Sequence, residues 1–426
     1  MEFKKLLLGE LCEIKSSKRI YAKDYVKKGI PFYRSKEIIE KSNGSNISQN
    51  LYIDNKKFEE IKKKYGVPEK GDLLLTSVGT LGIPYIVGNE KFYFKDGNLT
   101  WFNKFNSLLS QEYLFYWFKS KEGISEINRI TIGSTQKALT IKNLKELRIT
   151  LPSKKNQIKI TNLIKKIELK IETNQNIIAN LEELSQTLFK RWFVDFEFPD
   201  EDGNPYRSSG GEMIDSELGE MPKNWKVNKL KEFTKKISSG GTPSRKVKDY
   251  WEYGEIMWLK TKEVKEKMIV TTEENITDLG LLKSSAKIIN ENSTVIAMYG
   301  ATAGQIAYLG CKMATNQACC TIESEYPNFI YNYFVYSANY IKTLSSGSAQ
   351  QNLNKKIIED LKLLVPSLKV LNHYESSVNS NTSLIKSLTL SNLKLQELRD
   401  TLLPKLMSGE IEIPDDVEVN TDELSI

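Results

Sequence analysis

The chain has 426 residues, 40% hydrophobic and 27% charged, which is ordinary for folded protein and long enough for two or three domains with their own cores. The formal charge is +7, but the segment after Met407 carries seven acidic residues and no Lys or Arg, so the first 407 residues alone carry +14. That balance suits a polyanionic partner such as nucleic acid, and equally a Lys-rich surface kept for solubility.

Four cysteines without a Cys-x-x-Cys, and a single histidine, His373, argue against a zinc site. The charged start at Glu2, Lys4 and Lys5 is unlike a signal peptide. The longest uncharged run, 292–311, is broken by Asn, Ser, Thr, Gln and three Gly, so it reads as buried strands and turns, and a cytoplasmic location without membrane contact is expected.

Residues 1–152 are expected to form a first globular unit. An amphipathic element at 7–14 leads into the polar loop Lys15-Ser16-Ser17-Lys18-Arg19, and a strand-like Ile30-Pro31-Phe32-Tyr33-Arg34 leads into Ser35-Lys36-Glu37. Gly71-Asp72 opens an apolar strand at 73–76, ending in the turn Gly79-Thr80-Leu81-Gly82. The aromatic helix at 113–118 reads as core in preference to a base-stacking platform, because its spacing is continuous and helical. Gly133-Ser134-Thr135-Gln136 then precedes a short helix with Leu144 and Leu147.

From 157 to 193, Ile164, Ile167, Ile171, Ile178, Leu181, Leu188 and Trp192 fall on alternating steps of three and four, broken only by Asn174 and Ser185. This is a coiled-coil seam. Shifting each position by 214 lands on Val378, Asn381, Ile385, Leu388, Asn392, Leu395, Arg399, Leu402 and Leu406, the same seam with different polar breaks. Each helix is a rod of roughly 50 Å at ~1.5 Å per residue. The two are expected to pair antiparallel, the alternative being separate packing on two domains, with the Asn residues setting the alignment.

Between the rods, 197–224 holds eight acidic and two basic residues with Gly210-Gly211, and reads as an exposed linker. Residues 225–366 then repeat the first unit: Leu230-Lys231-Glu232-Phe233 answers Leu8-Gly9-Glu10-Leu11, Lys262-Glu263 answers Lys36-Glu37, Gly300 answers Gly79, and Gly347-Ser348-Ala349-Gln350 answers Gly133-Ser134-Thr135-Gln136. The offset drifts in the globular units and is constant through the helices, since one inserted residue would rotate every later seam side chain by about 100°. The expected fold class is mixed α/β (α+β), with two similar globular domains at 1–152 and 225–366, long helices at 153–196 and 367–409, a linker at 197–224 and an acidic tail at 410–426.

Two similar units of different sequence on a paired rod suit DNA, because half-sites one turn apart, ~34–36 Å, present the same groove on one side of the duplex. Lys15, Lys18, Arg19, Arg34 and Lys36 in the first unit, and Arg245, Lys246, Lys260 and Lys262 in the second, can contact phosphate or guanine; Gln136, Gln305, Gln317 and Gln350 can read adenine edges. Taken singly, each reads as a solvated surface group in preference to a contact, and only recurrence at matching repeat positions favours contact. Catalytic signatures are thin: Asn204-Pro205-Tyr206 lacks the second proline of an adenine methyltransferase motif, Pro199-Asp200 with Glu263-Val264-Lys265 only imitates a nuclease metal site, and there is no Walker-type loop.

Over essentially its whole length the sequence resembles the specificity subunit of type I restriction-modification systems. The likeness rests on Ser239-Gly240-Gly241-Thr242-Pro243-Ser244-Arg245, Trp258-Leu259-Lys260-Thr261, Met298-Tyr299-Gly300-Ala301-Thr302-Ala303-Gly304, Asn316-Gln317-Ala318-Cys319, Gly347-Ser348-Ala349-Gln350-Gln351-Asn352-Leu353 and Leu398-Arg399-Asp400-Thr401-Leu402-Leu403-Pro404-Lys405-Leu406. The resemblance implies two target recognition domains reading the halves of a bipartite asymmetric DNA site, and helices that set the gap and dock two modification subunits. Those partners would bind S-adenosylmethionine, flip an adenine and methylate its N6, with restriction and translocase subunits joining; this chain would hold no cofactor and no catalysis. It also implies a DNA-contact loop containing Ser239, Gly241, Thr242, Ser244 and Arg245, which the internal repeat extends to Ser16. Thr80, Tyr299, Thr302 and Ser348, in the same recurring turns, complete the candidate contacts. A stand-alone DNA-binding regulator and a coiled-coil scaffold of the same fold are the competing readings.

Overall fold

The apolar run Leu73–Thr76 is buried throughout because its two faces meet different cores, Leu73 and Leu75 in one and Leu74 in another. In this computed structural model, described for residues 3–45, 47–48, 51–133, 137–265, 267–346 and 353–414, it belongs to an antiparallel sheet ordered Glu13–Lys15, Leu99–Asn103, Leu73–Thr76, Pro84–Ile86. A second sheet orders Tyr25–Val26, Leu51–Ile53, Ile30–Tyr33 and Tyr93–Phe94, the last two strands running parallel. Lys4–Leu7 pairs with Arg148–Leu151, joining the start of the unit to the strand that precedes the first long helix.

The later unit repeats this plan. Lys236–Ser239, Cys319–Glu323, Thr294–Ala297 and Ile306–Leu309 lie in the same order as the four strands of the first sheet, with Met268–Ile269 added at the edge. Asn275–Ile276, Ile256–Leu259, Met313–Thr315 and Ile288–Ile289 form the second sheet, again with one parallel pair, Ile256–Leu259 beside Met313–Thr315. Lys226–Lys229 pairs with Lys362–Val365 as the closing ribbon. The fold is mixed α and β, with one topology used twice.

Local chemistry accounts for several elements. Asp54 accepts from the backbone N–H of Lys56 and Lys57 at 2.9 and 3.4 Å and so starts the helix Asn55–Tyr65, which ends at Gly66 with a positive φ of 77°. The aromatic helix Gln111–Lys119 buries Tyr113, Leu114, Tyr116, Trp117 and Phe118 in the core of the first unit. At 7–14 the single amphipathic element gives way to the end of one strand, a one-turn helix Leu8–Leu11 and a second strand from Glu13, because Leu8, Leu11 and Ile14 each reach the core from a different backbone direction.

The long helices span Lys154–Phe193 and Leu368–Ser408. Packing divides the chain into two units, Met1–Lys170 with Leu395–Ile426, and Ile171–Lys394, with part of each long helix in each unit. In the first unit, Ile160 and Ile164 share one core with Leu403, Leu406, Met407 and the aromatic helix, with Leu402 packed against it. Within the second unit, as the first helix advances from Asn174 through Ser185 to Trp192, its partners recede from Asn392 through Asn381 to His373, so the two helices run antiparallel there. Ile171, Asn174, Val378 and Ile385 are buried, and Ile178, Leu181, Leu188, Asn381, Leu388 and Leu395 are half-buried.

In each unit a side chain from a long helix caps the aromatic helix. Gln157 accepts from Ser110 N at 2.8 Å; Glu375 accepts from Asn328 Nδ2 and Phe329 N, both at 2.8 Å, at the start of Pro327–Tyr336. The 197–224 segment is largely exposed but carries local structure of its own. Phe196, Phe198 and Met221 are buried, Phe198 stacks on Tyr206 and Trp225, and Met213–Ser216 forms a hairpin with Gly219–Pro222. Its acidic count misleads because the charges face water while the interspersed aromatics bury their rings.

Candidate nucleic-acid interface

In the first unit, residues 16–19 lie along the 93–98 segment. Ser17 Oγ donates to Phe94 O at 2.8 Å, Lys18 N donates to the Tyr93 hydroxyl at 2.7 Å, Gly97 N donates to Ser16 Oγ at 3.3 Å, and Arg19 Nε meets Asp96 at 2.8 Å. The Asn98 carbonyl accepts from Ser35 Oγ and from Ser77 N, which brings the Arg34–Lys36 corner and the turn bearing Thr80 to the same edge. Lys15 ends a strand with its ammonium 4.1 Å above the Trp101 ring and 3.4 Å from Glu13; Lys18 lies 5.3 Å over Tyr65. Hydrogen bonding from Lys104, against a smaller opposing effect of burial, holds the Glu13 carboxyl below its ordinary value.

Arg34 has a role apart from the expected one. Its guanidinium binds Glu37, which is only 1% exposed, and Glu37 also accepts from Arg34 N at 2.8 Å, so the pair closes the start of the helix Ser35–Ser42. A buried carboxylate needs its cation, so Arg34 has a structural role at this corner beside any contact with DNA. Lys36 and Thr80 are exposed, while Gln136, Ser348 and Gln350 lie outside the described residues.

In the second unit the double glycine of the contact loop has a steric cause. A Cβ on Gly240 would stand 1.9 Å from Thr315 O, and one on Gly241 would stand 2.1 Å from Ser285 Oγ. Gly241 N donates to Thr315 O at 2.9 Å, and Trp258 Nε1 donates to Gly241 O at 2.9 Å, fixing the loop from both sides. Thr242 Oγ1 then reaches Gln317 Oε1 at 2.5 Å, with both side chains on the surface. Ser239 ends a strand, and Ser244 accepts through its carbonyl from Trp251 Nε1 at 3.2 Å.

Arg245 lies flat on Trp251, its guanidinium carbon 3.5 Å from the ring centroid and 5.0 Å from that of Trp258. It also meets Glu274 at 2.5 Å; Lys260 meets Glu274 at 2.6 Å and Glu273 at 3.0 Å; Lys262 meets Glu273 at 2.5 Å. Three cations predicted from separate motifs are thus gathered by two adjacent glutamates. The bond from Lys262 lowers the Glu273 carboxyl, and that from Lys260 lowers Glu274.

Tyr299 is exposed on the turn Gly300–Thr302, and Met298 N donates to Ala318 O, so this turn adjoins the Gln317 loop. Gln305, just before the strand Ile306–Leu309, is half-buried, and its Oε1 is buried and, among the described residues, without a partner. Sequence reasoning missed Asp96, Glu37, Glu273 and Glu274. The Glu-Glu pair was visible, but its partners lie 11 to 29 residues away in the chain, and only the sheet topology joins them.

Among the described residues, no group of His, Cys, Asp or Glu could hold a metal ion, and no helix is long and apolar enough to cross a membrane. Cys12 and Cys320 have no reactive setting: burial pushes their thiols up to about 12.

Comparison with known proteins agrees with the duplicated plan. The profile of the family described as type I restriction modification DNA specificity domain matches twice, over residues 1–183 and 222–373. The chain is similar to the type I restriction enzyme MjaIX specificity subunit of Methanocaldococcus jannaschii, 27% identical over 355 residues that cover 81% of this chain and 78% of that one. It is also similar to the HindI specificity subunit of Haemophilus influenzae, 25% identical, covering 80% and 87%. In fold it is similar to the crystal structure of a type I restriction-modification S subunit from M. genitalium, with a TM-score of 0.62 at 17% identity, covering 95% of this chain and 96% of that one.

Proposed function

This chain belongs to the type I restriction-modification DNA specificity family, and we propose that it is the sequence-reading subunit of such a complex, each globular unit reading one half of a bipartite asymmetric DNA site. The observation that carries this reading is the repeat of one sheet topology with cation-bearing loops at the matching edge: residues 16–19 beside 93–98 in the first unit, and residues 241–245 beside 315–317 in the second. The same scaffold with different side chains suits two independent readers.

The long helices set the unread gap and dock two modification subunits, which bind S-adenosylmethionine and methylate adenine N6. Restriction and translocase subunits join the same assembly, in the cytoplasm where its DNA lies. The chain supplies direction to that chemistry and no reacting group of its own.

Methyl transfer to duplex DNA tests the assignment. The chain with its modification subunits transfers methyl groups to adenine at a two-part motif, and the modification subunits without it lose that motif. Transfer by the purified chain alone would contradict the non-catalytic role, and an unchanged motif in its absence would contradict the reading role.

A further inference from the structure

The Glu273–Glu274 pair holds three of the four cations expected in the second unit's contact loops, Lys246 being the exception among the described residues. Arg245 bonds Glu274, Lys262 bonds Glu273, and Lys260 bridges the two. The carboxylates are not carried on a loose loop. Glu273 N donates to Glu263 Oε1 at 2.6 Å, Trp258 N donates to Glu274 O at 3.0 Å, and the strand Asn275–Ile276 that follows pairs with Ile256–Leu259. Glu263 in turn accepts from Lys260 N at 3.0 Å, so the backbone beneath the acids and that beneath the cations are tied together.

A phosphate oxygen and a carboxylate oxygen compete for the same donors. A DNA phosphate that reaches Lys260, Lys262 or Arg245 meets a cation already shared with a glutamate on anchored backbone, and that carboxylate stays close to the phosphate and repels it. The cluster carries three cations and two anions, so its attraction for any backbone is well below what its Lys and Arg content suggests. The neutral groups beside it, Thr242 and Gln317, keep their capacity for base edges, which does not depend on charge.

We propose that Glu273 and Glu274 are specificity-determining residues of the second unit: a built-in phosphate mimic that suppresses sequence-independent binding and leaves discrimination to base contacts. This rests on the DNA-reading assignment above. The pair acts on the affinity for all duplexes far more than on the choice of bases at the cognate site, so removing it erodes the ratio between the two.

The test uses the chain assembled with its modification subunits, carrying Glu273→Gln, Glu274→Gln or both. Non-cognate and cognate duplexes are titrated across a range of salt, and the methylated motif is sequenced. Adenine methylation at a two-part motif by the unaltered complex establishes the reading role first, so its absence would overturn that role separately from this proposal.

With the role established, the proposal expects each variant to bind non-cognate duplex about fivefold tighter or more, with a salt dependence steeper by about one released counterion per freed cation. Cognate affinity rises less, and relaxed motifs appear in the half read by the second unit while the first half is unchanged. Unchanged non-cognate affinity and salt slope would overturn it, as would relaxation of both halves alike. Urea unfolding of each variant separates these outcomes from misfolding, and Glu273→Gln, at the more exposed of the two sites, serves alone if the double variant is unstable.

Discussion

Asn174 Nδ2 donates to Asn392 Oδ1 at 2.8 Å in a buried layer between the two long helices of the second unit. A polar pair in an apolar seam can bond only at one alignment, so it selects register at some cost in stability, here including an Asn174 Oδ1 buried without a partner among the described residues. Replacing Asn174 alone by Leu leaves the Asn392 carbonyl oxygen without its donor and destabilises the chain by about 1–3 kcal/mol in urea unfolding. Replacing both by Leu restores stability to the original value or above. A double variant no more stable than the single one would show that the pair does not interact as described.

The apolar positions of the helices divide by environment. Ile164 is fully buried with Leu403 and Leu406, whereas Leu184 is 55% exposed. Ile164→Ala lowers unfolding free energy by about 2–5 kcal/mol, and Leu184→Ala leaves it within about 0.5 kcal/mol. Equal effects in chemical denaturation would place the helix the wrong way round.

Arg245 combines a stacked guanidinium with an acidic partner, and a lysine cannot reproduce the planar contact with Trp251. Arg245→Lys and Trp251→Ala both weaken binding of the assembled complex to its cognate duplex severalfold. Arg245→Lys behaving as the parent would limit the residue to its charge.

Burial raises the Glu375 carboxyl above its ordinary 4.5, against hydrogen bonds from Phe329 and Asn328 that lower it. The folded chain therefore keeps this proton to higher pH than the unfolded chain does. Through the window from 4.5 up to the raised value, this group's contribution to stability falls as pH rises. Glu375→Gln removes that part of the slope in thermal unfolding across the acidic range; an unchanged slope would assign it to other groups.

Much of this architecture was legible in the chain because it is periodic. The seam from Ile164 to Leu188 and its copy from Val378 to Leu402 need only the three-four rhythm, and that rhythm tolerates no insertion. The contact loop was legible in part. Gly240-Gly241 announces a close approach, and the structure supplies the obstacles, Thr315 and Ser285. What stayed hidden is long-range. Arg34 reads as a surface cation until Glu37 is seen to be buried beneath it, and Gln305 reads as a base-reading group until its oxygen is found inside. The acidic count of 197–224 concealed Phe198 and Met221 in the same way, since charge in sequence does not reveal which face it takes.

The central claim is that two separate readers share one ruler. Its most direct test is methylome sequencing of cells carrying this chain with its modification subunits, repeated after residues 1–152 are exchanged for the corresponding unit of another such chain. The account predicts adenine methylation at a two-part motif, with one half replaced by the exchange and the other half and the gap unchanged. Loss of both halves together, or a gap that shifts with the exchanged unit, would contradict it.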